Sequence, residues 1–286
     1  MYAKVNGTEI FFDVHGLQFE PKGEEVLEKP VTFVLHGGPG GDHIDFIPWL
    51  KPLEKRTQMV FVDHRSTGRS NRRTLPETWN IEQFADDVEE LRKYLGLENI
   101  CVMGESFGGM WSLTYAIRHP HSLRKLILVD TTASWKETWI EAQRIAEKKG
   151  DFKQRKVFRD VFEGRVTTEE GFRNWDETVA SLYYYKHKKK ISREMRARIR
   201  SSSLVAAYMW KNIMPKYDIT QKLWMIRCPT LVIVGRHDWI TPVSQAQRIS
   251  QLIPNSKLAV FEKSGHMPYV EENSKFLSVV AKFLRS

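Results

Sequence analysis

Serine, aspartate and histidine residues occur in three motifs whose order along the chain allows nucleophilic catalysis. Ser106 lies in the pentapeptide GESFG, Asp238 in the segment GRHDWITP and His266 in the segment SGHMPYVEE. A serine hydroxyl becomes a nucleophile when a histidine removes its proton, and a carboxylate holds that histidine in the required tautomer. We therefore predict Ser106 as the nucleophile, His266 as the general base and Asp238 as the acid that orients the base.

The serine motif lies between a predicted strand and a predicted helix. Residues 100–103 form an apolar run typical of a buried strand, and residues 109–118 are predicted to be helical. The segment 104–108 must then form a sharp turn, in which the flanking glycines leave room for a strained backbone. Such a turn exposes the serine at the carboxyl end of the sheet and directs the helix N-terminus at the oxyanion that forms on attack.

A second glycine-rich turn, HGGPG at residues 36–40, follows an apolar run predicted to be a buried strand. One backbone N–H from this turn and the N–H of the residue after the nucleophile can bind the oxyanion. We predict Gly38 and Phe107 as these two donors. A phosphate-binding loop is the alternative for such a turn, but the sequence lacks the pattern GxxxxGK[S/T]. His36 is expected to brace the loop rather than to take part in catalysis.

Short apolar strands alternate with amphipathic helices along most of the chain. Strands are predicted over 31–35, 59–62, 100–103, 126–129, 230–235 and 258–261, and helices over 81–95, 109–118, 243–252 and 273–284. This alternation predicts an α/β fold with a mostly parallel sheet and helices on both of its faces. The Asn6-Gly7 pair predicts a hairpin over residues 2–14, whereas the polar segment 17–30 is predicted to be a loop.

The alternation stops over residues 131–219, whose composition is helical and rich in Trp, Tyr, Lys and Arg. We predict that residues 1–130 and 220–286 form the core, and that residues 131–219 form a helical cap that determines substrate specificity. The predicted cap contains 20 basic and 12 acidic residues, so most of the formal net charge of +9 belongs to it.

The motifs together resemble the proline iminopeptidase branch of the α/β-hydrolases. The matching segments are HGGPGG, the turn DHRSTGRS at residues 63–70, GESFGG, GRHDWITP and SGHMPYVEE. The resemblance implies an α/β-hydrolase fold and the removal of an N-terminal proline, or a related cleavage of an amide or ester through an acyl-enzyme. Haloalkane dehalogenases and most epoxide hydrolases of this fold carry an aspartate where this chain has Ser106, so the sequence does not fit those activities.

The predicted cap departs from that branch where the substrate is bound. In the family, cap carboxylates bind the free amino group of the substrate, and a segment of the form MWGxxEF often supplies the glutamate. The similar stretch here, MWKNIMP at residues 209–215, lacks the glutamate and contains Lys211. Other cap carboxylates remain as substitutes, and the sequence does not distinguish among them: Glu163, Glu169, Glu170, Asp176, Glu177 and Glu194.

The net positive charge of the predicted cap disfavours a cationic substrate and favours a carboxylate or a neutral acyl group. A carboxylesterase or lactonase acting on neutral or acidic acyl substrates is therefore the alternative function. A non-catalytic ligand receptor on the same fold is a third hypothesis, which the intact triad disfavours. The eight basic residues within 186–200 are interpreted first as a solvated helix face and second as a site that attracts anionic substrates.

The aromatic residues of the predicted cap are candidates for the walls of an acyl pocket. We predict that Trp210, Tyr208 and Trp135 contact the substrate, and we expect that substrate to be a small molecule or a short peptide. Most of the other cap aromatics are expected to pack within the cap itself.

No cofactor and no metal ion are expected for this chemistry. Cys101 and Cys228 are predicted to be buried free thiols in strands, and no Cys/His spacing indicates a metal site. No run of about 18 apolar residues, no signal-peptide pattern and no nucleic-acid-binding motif is found. We therefore expect a cytoplasmic protein without a membrane or nucleic-acid partner.

Overall fold

Within residues 1–285, which the computed structural model describes, the central element is an eight-stranded sheet. The strands of the chain are β1 (Tyr2–Val5), β2 (Thr8–His15), β3 (Phe19–Lys22), β4 (Glu25–Glu28), β5 (Val31–Leu35), β6 (Gln58–Val62), β7 (Ile100–Glu105), β8 (Leu123–Val129), β9 (Thr230–Gly235) and β10 (Ser256–Phe261). The order in the large sheet is β1-β2-β6-β5-β7-β8-β9-β10. Pairing is antiparallel from β1 to β6 and parallel from β6 to β10. The mostly parallel α/β sheet is as predicted.

Helices cover both faces of the sheet. They are α1 (Ile47–Leu50), α2 (Ile81–Tyr94), α3 (Phe107–Arg118), α4 (Trp135–Lys149), α5 (Phe152–Phe162), α6 (Glu169–Val179), α7 (Lys189–Arg196), α8 (Ser203–Tyr208), α9 (Val243–Leu252), α10 (Pro268–Glu271) and α11 (Asn273–Arg285). The apolar side chains of α2, α3 and α9 join the core on one face, and those of α1 and α11 join a second core on the other face. The inner parallel strands β5–β9 are therefore largely buried on both sides, which explains their apolar sequences, whereas the edge strand β10 is partly exposed.

The strand register brings the functional loops to one edge of the sheet. Leu35 at the end of β5 pairs with Gly104 of β7, and Val129 at the end of β8 pairs with Ile233 of β9. Phe261 at the end of β10 pairs with Gly235. Because the carboxyl ends of these parallel strands meet, the loops that follow them lie side by side, as expected for a site in an open α/β sheet.

The segment between β8 and β9 leaves the sheet and forms helices α4–α8, several short 3₁₀ helices and one turn of π-helix. Its only pairing of strand type within residues 1–285 is an isolated bridge between Ser134 and Asp218. The segment is tied to the loops at the sheet edge, since Ser202 N–H donates to Gly40 O (2.8 Å) and His266 N–H donates to Tyr183 O (2.8 Å). We call residues 135–225 the helical segment.

Two local predictions are wrong. Residues 17–30 contain the hairpin β3–β4, which pairs only with itself and exposes all eight of its strand residues. With no buried face, this hairpin lacks the alternation of apolar and polar residues that would have indicated strands. Cys228 precedes β9 instead of lying within a strand, although it and Cys101 are both free thiols. No helix within residues 1–285 has the length and apolarity needed to cross a membrane.

Candidate active site

Ser106 lies at the tip of a sharp turn between β7 and α3, where its backbone adopts φ 52° and ψ −118°. This conformation is strained for a residue with a side chain, and strain of this kind is concentrated at functional sites. Glycine is required on both sides, because a Cβ at Gly104 would collide with Ser112 and a Cβ at Gly108 would collide with the backbone of Leu35. Ser106 O accepts hydrogen bonds from Thr131 Oγ1 (2.6 Å) and Gly109 N (3.0 Å), which fix the turn.

The glycine-rich turn after β5 lies directly against this serine. A methyl group placed on Gly37 would lie 3.1 Å from the Ser106 Cβ atom. Gly38 has φ 126°, a conformation that favours glycine, and Phe107 is the first residue of α3, so its N–H has no acceptor within the helix. The prediction that Gly38 and Phe107 donate to an oxyanion is therefore compatible with the backbone.

His36 braces the glycine-rich turn, as the sequence indicated. Its Nδ1 lies 2.8 Å from Gly37 O, and its Nε2 lies 3.2 Å from Thr67 Oγ1. The turn at residues 63–70 is also structural, because Arg65 forms a buried two-pronged ion pair with Asp87 of α2 (2.5 and 2.6 Å). Both segments hold the backbone around Ser106 and leave the reacting groups to other residues.

Asp238 and His266 form the acid–histidine pair that the sequence predicted. His266 Nδ1 lies 2.8 Å from Asp238 Oδ2, and both side chains are buried. Asp238 also accepts hydrogen bonds from Ile240 N–H (2.9 Å), Thr241 N–H (3.2 Å) and Thr241 Oγ1 (2.6 Å). These bonds fix the carboxylate, and the carboxylate fixes the imidazole ring.

The charges of this pair support each other. Burial disfavours the carboxylate, but the charge and hydrogen bond of His266 outweigh this effect and lower the pKa of Asp238 below its ordinary value. Burial also disfavours an imidazolium, but the charge and hydrogen bond of Asp238 outweigh it and raise the pKa of His266. The arrangement therefore stabilises the charged imidazolium that a general base becomes during catalysis.

Ser106 and His266 line one cleft between the sheet edge and the helical segment. The cleft has a volume of about 990 Å³, including the space at its mouth that is open to solvent. The second carboxylate beside His266 is Glu105, whose Oε1 lies 3.4 Å from His266 Nε2. Burial raises the pKa of Glu105 to about 7, although the nearby charge of His266 opposes this shift. No feature of the GESFG motif singled out Glu105 in the sequence analysis.

Three further carboxylates line the same cleft: Asp42, Asp45 and Asp176. Burial, with the added charges of Asp42 and Asp176, raises the pKa of Asp45 to about 8. The Oδ1 atom of Asp45 is enclosed and has no hydrogen-bond partner among the described residues. Asp176 Oδ1 lies 3.4 Å from Arg196 Nε, the one Lys or Arg side chain in the described lining of the cleft. Asp176 was one of the six cap carboxylates considered from the sequence, whereas Asp42 and Asp45 were not considered.

Aromatic residues form much of the remaining wall of the cleft. Their positions correct part of the prediction that Trp210, Tyr208 and Trp135 contact the substrate. Trp210 lines the cleft as predicted, together with Phe162, Phe172, Trp175, Tyr183 and Tyr184. Trp135 is not in the described lining, because its ring stacks on Phe162 at 5.6 Å and packs behind Trp210 at 4.9 Å. Tyr208 is also outside the lining, with its ring against the edge of Trp79 at 5.5 Å.

The basic residues within 186–200 face solvent with one exception. All of them except Arg196 are exposed, which supports their interpretation as a solvated face. Lys211 lies in the segment MWKNIMP, which lacks the glutamate of the similar family segment, and it is exposed as well. The net positive charge of the helical segment is therefore a property of its exposed surface. The lining of the cleft is instead rich in carboxylates.

One cluster within residues 1–285 has the composition of a metal site, formed by Asp130, Asp238 and His266, with one atom of each lying within 4.8 Å of the others. Two of these atoms belong to the acid–histidine hydrogen bond already described. The ring nitrogen that faces the acid is thus engaged with a carboxylate, and the cluster is better described as an acid–base group.

With this geometry in place, sequence comparison gives the family. The sequence profile of the alpha/beta hydrolase fold matches residues 30–273. The chain belongs to the α/β-hydrolase family. A proline iminopeptidase of Clostridioides difficile (strain 630) is 31% identical over 100% of this chain and 97% of its own. A proline iminopeptidase of Heyndrickxia coagulans is 29% identical over 98% of this chain and 99% of its own.

Solved structures agree with this assignment at the level of the fold. The crystal structure of a proline iminopeptidase from Mycobacterium smegmatis matches this α/β-hydrolase with a TM-score of 0.78 and 22% identity, over 100% of this chain and 97% of the other. Together with the sequence relatives, the comparison supports the proline iminopeptidase branch that the motifs indicated.

Proposed function

We propose that this α/β-hydrolase is a serine hydrolase that removes the N-terminal residue, with proline as the first candidate, from short peptides or amino-acid amides. The observation that carries the proposal is the set of carboxylates around Ser106 and His266 in one cleft. The free amino group of such a substrate is a cation, and a cation leaves water for a cleft only when negative groups receive it.

The reaction follows from the triad. His266 Nε2 takes the proton of the Ser106 hydroxyl as the oxygen attacks the carbonyl carbon, and Asp238 stabilises the resulting imidazolium. Gly38 N–H and Phe107 N–H bind the oxyanion. His266 then protonates the leaving amine, and water releases the acyl group from Ser106 by the same steps in reverse. No cofactor or metal ion is proposed for any step.

Asp45 and Asp176 are proposed to bind the amino group of the substrate. The enclosed Oδ1 of Asp45 lacks a hydrogen-bond donor, so it is an acceptor available to an ammonium. Burial raises the pKa of Asp45 to about 8, which means that the empty cleft holds the group largely neutral near pH 7. A bound ammonium favours the ionised form, so binding lowers this pKa and releases a proton.

The apolar wall suits a proline ring or another compact apolar side chain. Trp175, Trp210 and Tyr183 are large, nearly buried rings that enclose the same cleft as the carboxylates. Aromatic faces also attract cations, so they add to the affinity for an amine. The helical segment supplies these rings, and in this proposal it acts as the cap that determines specificity.

Parallel assays on three substrates test the proposal: a proline anilide, its N-acetyl derivative and a short-chain aryl ester. We expect turnover of the anilide with the free amine and little turnover of the blocked one, since acetylation removes the cation. Ser106→Ala should lower kcat by at least about 10³-fold on every substrate that is cleaved. Equal turnover of the free and acetylated anilides would rule out the amine site.

Neutral variants locate the amine site. Asp45→Asn and Asp176→Asn are each expected to raise KM for the proline anilide by about 10-fold to 100-fold, the effect of losing one hydrogen bond to a charged group. The aryl ester has no amine, so its KM should change little. Glu177→Gln, which alters the exposed neighbour of Asp176, is the matched control and should behave like the wild type.

A carboxylesterase or lactonase remains the second candidate, and Arg196 is the observation that favours it. Its guanidinium lines the cleft and could receive the carboxylate of an acidic acyl substrate. Turnover of aryl esters without any cleavage of the proline anilide would support this candidate. The predicted cytoplasmic location is compatible with either function.

A further inference from the structure

Asp130 is a fully buried carboxyl group for which the proposed mechanism has no use. It follows β8 directly, is 0% exposed and has a positive φ of 43°. Its Oδ1 accepts a hydrogen bond from Gly235 N–H at 2.8 Å. Its Oδ2 is enclosed and has no hydrogen-bond partner among the described residues. A buried polar atom without a partner is costly, so its position calls for a functional explanation.

The sheet places this carboxyl beside the acid–histidine pair. Strands β8 and β9 are parallel neighbours, and Asp130 N–H donates to Ile233 O at 2.9 Å. One oxygen of Asp130, one oxygen of Asp238 and one ring nitrogen of His266 all lie within 4.8 Å of one another. Asp130 follows β8 and Asp238 follows the neighbouring strand β9, so each strand is followed by one carboxyl group that lies near the imidazole of His266.

Two carboxylates this close in a buried site do not both ionise readily. Burial and the charge of Asp238 raise the pKa of Asp130 well above its ordinary value, whereas the pKa of Asp238 is lowered, with His266 as the main stabilising charge. These opposite directions favour the proton on Asp130 and the negative charge on Asp238.

Resting on the proposed function, we propose that Asp130 and Asp238 act as one pair of carboxyl groups that carries a single negative charge beside His266. Asp130 is a positioning residue, and it orients His266 in place of Asp238 when Asp238 is neutral. When Asp238 is made neutral, the repulsion that adds to burial in raising the pKa of Asp130 disappears. In the proposal Asp130 then gives up its proton to solvent. Its oxygen lies within 4.8 Å of a ring nitrogen of His266, so a side-chain movement of about 2 Å brings it to hydrogen-bond distance of the imidazole. Asp130 acts through His266 and does not touch the substrate.

Three variants test the pair: Asp238→Asn, Asp130→Asn and the double variant. Asparagine at 130 keeps an oxygen for Gly235 N–H, so the link to β9 is retained. Loss of the orienting acid in a serine triad costs about 10⁴-fold in kcat. We expect Asp238→Asn alone to lose only about 10-fold to 100-fold, and the double variant to lose about 10⁴-fold. Asp130→Asn should cost at least about 10-fold more on the Asp238→Asn background than in the wild type.

The pH profile separates positioning from a purely structural role. In the Asp238→Asn variant, an ionised Asp130 keeps the pKa of the imidazole high, so the acidic limb of kcat/KM should stay near that of the wild type. The double variant has no carboxylate at the Asp238 side of the ring and keeps only Glu105 beside Nε2, so burial moves this limb to lower pH by about 1 unit or more. Equal rates and equal acidic limbs in the single and double variants would overturn the proposal.

The readouts do not depend on the identity of the natural substrate. Turnover of the aryl ester and the rate of phosphonylation of Ser106 by a fluorophosphonate, followed by mass spectrometry, both require a correctly placed His266. Thermal melting identifies variants that fail to fold, which are excluded from the comparison of the other rates. A wild-type protein whose Ser106 does not react would overturn the proposed function as well, whereas a reactive wild type with equivalent single and double variants overturns only the role of Asp130.

Discussion

At the scale of single residues, Glu105 lies between the cleft and the acid–histidine pair. It precedes the nucleophile in the chain, lines the cleft and places Oε1 3.4 Å from His266 Nε2. Burial raises the pKa of Glu105 to about 7, with the charge of His266 opposing the shift. The group is neutral below that pH and ionised above it, so its attraction for an ammonium increases as the pH rises through about 7.

Glu105→Gln should reduce this pH dependence. In the wild type, KM for a proline anilide is expected to fall between about pH 6 and about pH 8, because Glu105 and Asp45 ionise in or near this interval. The glutamine variant should show a severalfold smaller ratio between the two KM values. The aryl ester, which carries no charge, is the control substrate. An unchanged ratio for the anilide would show that Glu105 does not take part in amine binding.

The sequence was sufficient to single out Ser106, Asp238 and His266 as candidates, because each lies in a short motif at the end of a recognisable strand. Asp45 was not found, since it lies in a turn without a motif and its importance depends on Asp176, which is distant in the chain. Asp176 was considered only as one of six cap carboxylates. Helix packing determines which of these six carboxylates lines the cleft, and no pattern in the sequence predicts that packing.

At the scale of elements, Glu271 connects the helical segment to the loop that carries His266. One carboxylate of α10 accepts hydrogen bonds from Tyr185 N–H (3.0 Å), Lys186 N–H (2.9 Å) and Gly265 N–H (2.7 Å). The first two donors belong to the helical segment, and the third belongs to the residue that precedes His266 in the chain. Movement of the segment would therefore be transmitted to His266.

Glu271→Gln should weaken this connection. The glutamine amide offers one oxygen to three donors and turns its own NH₂ group toward at least one of them, so we expect a loss of about 1–3 kcal/mol in stability. Thermal melting would show it as a decrease in Tm of several degrees. We also expect a lower kcat on every substrate. Glu262→Gln breaks only an exposed pair with Arg236 and is the control; an equal loss of stability there would contradict a special role for Glu271.

The elements that the sequence predicted correctly are those with a buried face. The parallel strands and α2 have apolar residues at the spacing that burial requires, and Asn80 caps α2 by accepting from Gln83 N–H at 2.7 Å. Hairpin β3–β4 was missed because it packs against nothing that would impose such a spacing. The fold could be predicted from the sequence mainly because burial imposes a regular spacing of apolar residues, and less because of the intrinsic secondary-structure propensity of each residue.

At the scale of the whole molecule, the net charge of the chain is positive, whereas most of the charged groups that line the cleft are acidic. The chain has a formal net charge of +9, yet the cleft is lined by Asp42, Asp45, Glu105 and Asp176 against the single Arg196. Counting charges along the sequence predicted a positive cap that repels amines. In the folded chain the exposed lysines point outward, where water and salt screen them, and the carboxylates line the cleft.

Charge-neutralising variants distinguish surface charge from cleft charge. Arg196→Gln removes the cation beside Asp176, so KM for the proline anilide should fall, whereas KM for an acidic aryl ester should rise. Replacing Lys188, Lys189 and Lys190 together with glutamine removes three exposed charges, and at physiological salt, where the screening length is about 8 Å, each KM should change less than about twofold. A larger effect from the three lysines than from Arg196 would mean that the surface field governs substrate choice. The opposite result, with a lower KM for the amine in Arg196→Gln, would assign that choice to the carboxylates inside the cleft.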